Sequence, residues 1–123
     1  VTVRLEEVTA IQNPERLTKG DWVFGLFSGD VERWRSEAEV HIGRGQTEPV
    51  GGEFQVEVPA TEDHIDLRIV AAEKDILSGD DLAEGRTLLY RSTGFGSHEP
   101  LIVDVTGEDA HLRLTFTASV EPA

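Results

Sequence analysis

Apolar and polar residues alternate along much of the chain. In one such run Ile65, Leu67 and Ile69 are separated by Asp66 and Arg68. A period of two residues is typical of a strand with one face in the core and the other in water. Repetition of this pattern between turn signals rich in Gly, Asn and Asp predicts eight strands, near residues 1–11, 21–28, 32–42, 53–59, 64–73, 85–92, 100–105 and 110–120.

Short strands at this spacing, joined by glycine-rich turns, predict an all-β fold. We expect an eight-stranded antiparallel β-sandwich, with residues 1–123 forming a single domain. Trp22 alternates with Phe24 and Leu26, so burial in the core is expected for it. Phe95 lies between two glycines and is expected to anchor a loop.

The net charge narrows the range of partners. Twenty-four acidic residues against eleven basic ones give a formal charge of −13. Nucleic acid is excluded as an expected partner, because phosphate binding requires a basic face. No run of apolar residues is long enough to predict a transmembrane segment. The absence of cysteine excludes disulfides and thiolate metal sites, and the compartment stays open.

Catalytic patterns are not evident in the sequence. The four histidines are dispersed, and no Gly-x-Ser-x-Gly elbow is present. Ser97, His98 and Glu99 are consecutive, and neighbours on an extended chain point in opposite directions. They therefore do not form a nucleophile–base relay by themselves. We predict a non-enzymatic protein with no catalytic residues.

Acidic residues recur in two predicted loops, at 13–22 and 72–81. Glu73 and Asp75 are two positions apart at a strand end and point the same way, and a wide loop returns Asp81. Two carboxylates about 4 Å apart repel by roughly 4 kcal/mol at an effective dielectric of 20, and a bound cation removes that cost. Ca²⁺ is the expected cation, because it accepts six to eight oxygen ligands in flexible geometry.

The spacing of these acids resembles that of the C2 domain, a calcium- and phospholipid-binding β-sandwich. That family has two acids six positions apart in a first loop, and three acids separated by steps of two and six in a third loop. In this chain Glu15 and Asp21 are six apart, Glu73 and Asp75 are two apart, and Asp81 follows six positions later. Two of these five acids are glutamates, where the family usually has aspartates.

Shorter motifs extend the resemblance over essentially the whole chain. The run 19–23, Lys-Gly-Asp-Trp-Val, stands where the family has Gly-Ser-Asp-Pro-Tyr-Val. Asp80, Asp81 and Leu82 followed by Gly85 resemble the family's Asp-Asp-x-x-Gly. The first strand leads straight into the acidic loop, which is similar to the circularly permuted, type II form.

The resemblance implies a calcium site and a contact surface. The implied calcium ligands are Glu15, Asp21, Glu73, Asp75 and Asp81, helped by Ser78 and a backbone carbonyl such as that of Lys74. The loop tips that would contact a membrane or a partner are Arg16, Leu17, Ile76 and Leu77. The implied partners are calcium together with phospholipid headgroups or another protein.

Two other functions stay open at this stage. The chain is also compatible with a calcium-independent structural or protein-interaction sandwich from a larger assembly, whose acidity serves solubility in salt. A third possibility is a carbohydrate-binding sandwich with structural calcium. An exposed Trp34 or Phe95 beside a groove would favour that third function.

Overall fold

The computed structural model describes residues 1–12, 19–73, 81–107 and 110–121, without the side chains of Lys19 and Asp81. These residues form an all-β fold, as predicted, with one short 3₁₀ helix at Arg91–Gly96. The described strands are β1 (Thr2–Gln12), β2 (Lys19–Ser28), β3 (Val31–Arg35), β4 (Val40–Gly43), β5 (Thr47–Gln55), β6 (His64–Glu73), β7 (Asp81–Tyr90), β8 (Leu101–Thr106) and β9 (His111–Ser119).

The strands form one antiparallel path in the order β3-β2-β6-β7-β8-β9-β1-β5, and β4 pairs with β2 beside β3. The sheet curls until it is nearly closed into a barrel, because β5 at one end of the path contacts β3 and β4 at the other. A parallel bridge between Ala10 and Arg44 adds to this closure. Within the described residues there is no helix long and apolar enough to cross a membrane.

The path is weakest between β7 and β8. These two strands pair at a single position, Glu84 with Thr106, whereas β6 and β7 pair from His64 to Glu73. Two glycines permit the close approach at this junction. A Cβ on Gly85 would lie 2.5 Å from the Asp104 carbonyl oxygen, and one on Gly107 would lie 2.0 Å from the Leu82 carbonyl oxygen. The path therefore has four strands on either side of the junction, with β4 as an extra strand on β2.

Alternation along the strands fills the interior, as the sequence predicts. The largest fully buried side chains are Trp22, Phe24, Phe116, Leu5, Leu26, Ile42, Leu67, Ile69, Leu112, Leu114, Val3 and Val8. In β1 the buried set changes phase, from Val3 and Leu5 to Val8 and Ala10. The change coincides with a register shift between Leu5 and Glu7, where an extra residue in the strand restores inward-facing apolar positions.

Three predicted strands have clearly different bounds in the structure, and one of them, predicted at 85–92, is β7 at Asp81–Tyr90. The predicted strand 32–42 is broken at residues 36–39, so nine strands are described rather than eight. Ser36 occupies the break, where its side-chain hydroxyl accepts a hydrogen bond from the Phe24 backbone N–H. The predicted strand 53–59 instead spans Thr47–Gln55, because Gly51 adopts a φ of 79° in a bulge opposite β1 and does not end the strand.

The aromatic residues considered for sugar binding contribute to packing. Trp34 is partly buried and lies so close to Gly52 of β5 that a Cβ there would be 2.6 Å from its ring. It therefore packs across the gap between β3 and β5. Phe95 is 4% exposed, with Arg91 over its ring, and anchors the 3₁₀ segment as predicted.

Candidate functional site

The strand ends that flank the two predicted acidic loops lie at one end of the sheet. Glu73, the last residue of β6, pairs in register with Asp81, the first residue of β7, and also with Trp22 of β2. Lys19 at the start of β2 pairs with Gly43. We call this end, defined by Gln12, Lys19, Glu73 and Asp81, the loop end.

The end of β1 is tied to the same place by the β4–β5 turn. The Gly45 backbone N–H donates to the Ala10 carbonyl at 2.6 Å, and the Ala10 N–H donates to the Gln46 carbonyl at 3.1 Å. Since β4 pairs with the start of β2, this turn connects the strand before the first acidic loop with the strand after it. Both acidic loops therefore leave from, and return to, the loop end.

Most of the predicted ligands lie outside the part of the chain that the structure describes. Glu15, Asp75 and Ser78 are outside it, as are the Asp81 side chain and the predicted contact residues Arg16, Leu17, Ile76 and Leu77. The ligand set as a whole stays a prediction, and the described geometry bears on Asp21 and Glu73.

Glu73 is buried at the loop end. Its relative exposure is 2%, and it continues the inward-facing series of β6 that includes Ile69 and Ala71. Burying a carboxylate is costly unless it is paired, hydrogen-bonded or bound to a cation. Glu73 is the last residue of the predicted strand 64–73, in the same alternation as Ile65, Leu67 and Ile69, and the structure shows that this face is the inward one.

Asp21 lies on the opposite face of the sheet. Its neighbours Gly20 and Trp22 are buried, whereas the Asp21 side chain is 41% exposed and contacts Nδ1 of His41 through Oδ1. Within the described ranges, no group of three or more histidine, aspartate or glutamate side chains is arranged to hold a metal. The register of β2 and β6 thus brings the backbones of Asp21 and Glu73 close together but directs their side chains to opposite faces.

A second charged cluster borders the loop end on β8 and β9. Arg113 Nε donates to Oδ1 of Asp104 at 3.1 Å, and His111 Nε2 lies 3.1 Å from the same oxygen. Burial by itself raises the pKa of Asp104, but the nearby His111 and the hydrogen-bonded Arg113 outweigh it and hold the pKa below its ordinary value. His111 and Arg113 therefore stabilise the ionised form of Asp104, and these contacts link β8 to β9.

The lowered pKa of Asp104 predicts that the stability of the fold depends on pH. The ionised Asp104 should stabilise the fold fully above the ordinary aspartate pKa of about 3.9, and this stabilisation should disappear as the pH falls through the lower folded-state pKa. Urea denaturation of wild type and Asp104→Asn should therefore give different stabilities above about pH 4 and converge at lower pH. The variant Asp30→Asn, in the exposed β2–β3 turn, controls for the loss of one charge. A constant difference down to pH 2 would contradict the prediction.

A cleft at the far end of the sheet is lined by Val56, Val58, Arg91 and Phe95, among others. The guanidinium of Arg91 is already hydrogen-bonded to backbone carbonyls beside this cleft. Its Nη2 donates to the carbonyls of Val58, Pro59 and Glu62 at 3.0–3.1 Å. The guanidinium thus fastens the segment after β5 to the start of the 3₁₀ helix.

Comparison with known proteins does not add a family to this geometry. No model of a protein family matches the chain, and no curated protein matches it. The residues and the topology of the loop end are therefore the features from which a function is inferred.

Proposed function

We propose that this domain is a non-enzymatic calcium-binding module of C2-like type, with its cation site at the loop end. The observation that carries the proposal is the convergence of the strand ends around both acidic loops. Glu73 pairs in register with both Trp22 and Asp81. In this proposal the carboxylates of the two loops come together at the loop end, where they would repel one another. Ca²⁺ is the cation that best tolerates a mixed set of carboxylate and carbonyl oxygens.

The strand path supports the C2-like part of the proposal. The single pairing between Glu84 and Thr106 divides the path into two groups of four strands, β3-β2-β6-β7 and β8-β9-β1-β5. Two four-stranded layers are what an eight-stranded sandwich requires, and β4 is then an addition to the edge of the first layer.

In this proposal calcium neutralises the clustered carboxylates and orders the two loops. The ordered loops then present Arg16, Leu17, Ile76 and Leu77 to an anionic phospholipid headgroup or to a protein partner. Because the chain carries a net charge of −13, bound calcium would add positive charge locally at the loop tips and leave the whole domain strongly negative.

Calcium added to the domain after a chelator has removed bound metal should raise the thermal midpoint of unfolding. At constant ionic strength, a concentration one hundred times the dissociation constant stabilises the folded state by about 2.7 kcal/mol. Asp75→Asn and Asp81→Asn are expected to abolish this response, with magnesium as the control ion. If these variants respond as wild type does, the proposed site is wrong.

A calcium-independent interaction domain is the second candidate, favoured by an apolar strip on the outer face. Val23, Ala72 and Leu82 are in register across β2, β6 and β7, next to the loop end, and Leu82 is 59% exposed. An exposed apolar strip of this kind can contact a partner protein. For such a domain, sodium chloride in the absence of calcium would raise the thermal midpoint of unfolding as much as calcium does.

A further inference from the structure

Asp21 and His41 form a contact between β2 and β4 on the outer face of the sheet. The two residues are partners in the β2–β4 register, and Nδ1 of His41 contacts Oδ1 of Asp21. Both side chains are partly open to solvent, at 58% for His41 and 41% for Asp21. The inward positions beside them are occupied by Trp22 and Ile42, which are fully buried.

The strand β4 is held on its inward side by the buried Ile42 and on its outer side by the Asp21–His41 contact. It comprises only Val40–Gly43, and it pairs with β2 outside the main strand path. The turn that follows β4 carries the hydrogen bonds between Gly45, Gln46 and Ala10. A contact that fastens β4 to β2 therefore also maintains the connection between the end of β1 and the start of β2.

We infer that Asp21 is a positioning residue that holds β4 through His41, and that it is not a calcium ligand. Its carboxylate faces outward, whereas the carboxylate of Glu73 is buried on the inward face. The part of the inference that concerns calcium rests on the proposed function. The part that concerns β4 holds for the protein without any cation.

A double-mutant cycle in the presence of a chelator tests the contact itself. Asp21→Asn, His41→Gln and the double variant are compared with wild type by urea denaturation at pH 7. We expect a coupling of about two- to fivefold in the unfolding equilibrium constant, the range of exposed polar side-chain pairs. The control cycle combines Asp30→Asn with His41→Gln, and its effects should be additive. Additivity in the Asp21–His41 cycle would overturn the inference.

Calcium titrations of the same variants test whether Asp21 is a calcium ligand. Asp21→Asn should keep the calcium-induced shift of the thermal midpoint, whereas Asp75→Asn should lose it. Loss of the shift in Asp21→Asn as well would make Asp21 a ligand and refute the inference, while the proposed function would stand. If wild type itself shows no shift, the proposed function fails, Asp21 is not a calcium ligand, and the chelator cycle decides whether it positions β4.

Discussion

Replacement of Trp22 by alanine is expected to cost about 3–5 kcal/mol of stability, the largest effect of any single change considered for this domain. Trp22 is fully buried and lies in β2 directly opposite Glu73. Its loss leaves a cavity that the surrounding strands cannot fill, because β6 is held on its other side by β7 along its whole length. Urea denaturation followed by far-ultraviolet circular dichroism measures the change.

Tyr90→Ala provides the matched control for this variant. Tyr90 is also an aromatic residue in a strand, but it is 43% exposed on the outer face of β7. Its truncation should cost clearly less than that of Trp22, since much of its surface is already in water and no enclosed cavity is left. Equal losses from the two variants would mean that Trp22 does not contribute to the core as the structure indicates.

Replacement of Gly85 by alanine should destabilise the domain by about 2–3 kcal/mol through overpacking. The new Cβ would lie 2.5 Å from the Asp104 carbonyl oxygen and 2.7 Å from a methyl group of Val105. Backbone atoms of β8 cannot move aside easily, because β8 pairs with β9 from Leu101 to Thr106. The strands β7 and β8 would have to separate at the one position where they pair.

Gly25→Ala is the control, because it adds the same methyl group in a neighbouring part of the sheet. There the nearest atom is a ring carbon of Phe27 at 3.2 Å, which a small rotation of the side chain can move. We expect a change within about 1 kcal/mol for this variant. If Gly85→Ala is as stable as Gly25→Ala, the close approach of β7 and β8 is not required by the fold.

The fold class and much of the core follow from the sequence alone. The alternation in segments such as 64–73 requires one buried face, and the structure buries Ile65, Leu67, Ile69 and Ala71 there. Local alternation contains this information because each side chain's face depends only on its position within its own strand. The burial of Trp22 was predictable for the same reason, and the two glycines beside Phe95 indicated that it anchors a loop.

The tertiary structure decided what depends on contacts between distant segments. The glycines at positions 51 and 52 indicate a turn in the sequence, but pairing with β1 keeps Gly51 inside β5 as a bulge. The requirement for glycine at position 85 appears only when the Asp104 carbonyl is placed beside it.

The contacts of the acidic residues depend on distant pairing in the same way. Alternation along each strand puts Asp21 on the outer face, next to the buried Trp22, and Glu73 on the inner face with Ile69. The register of β2 against β4 and β6 decides that Asp21 meets His41 and that Glu73 lies opposite Trp22. Alternation determines which face a side chain occupies, and strand register determines which residues meet there.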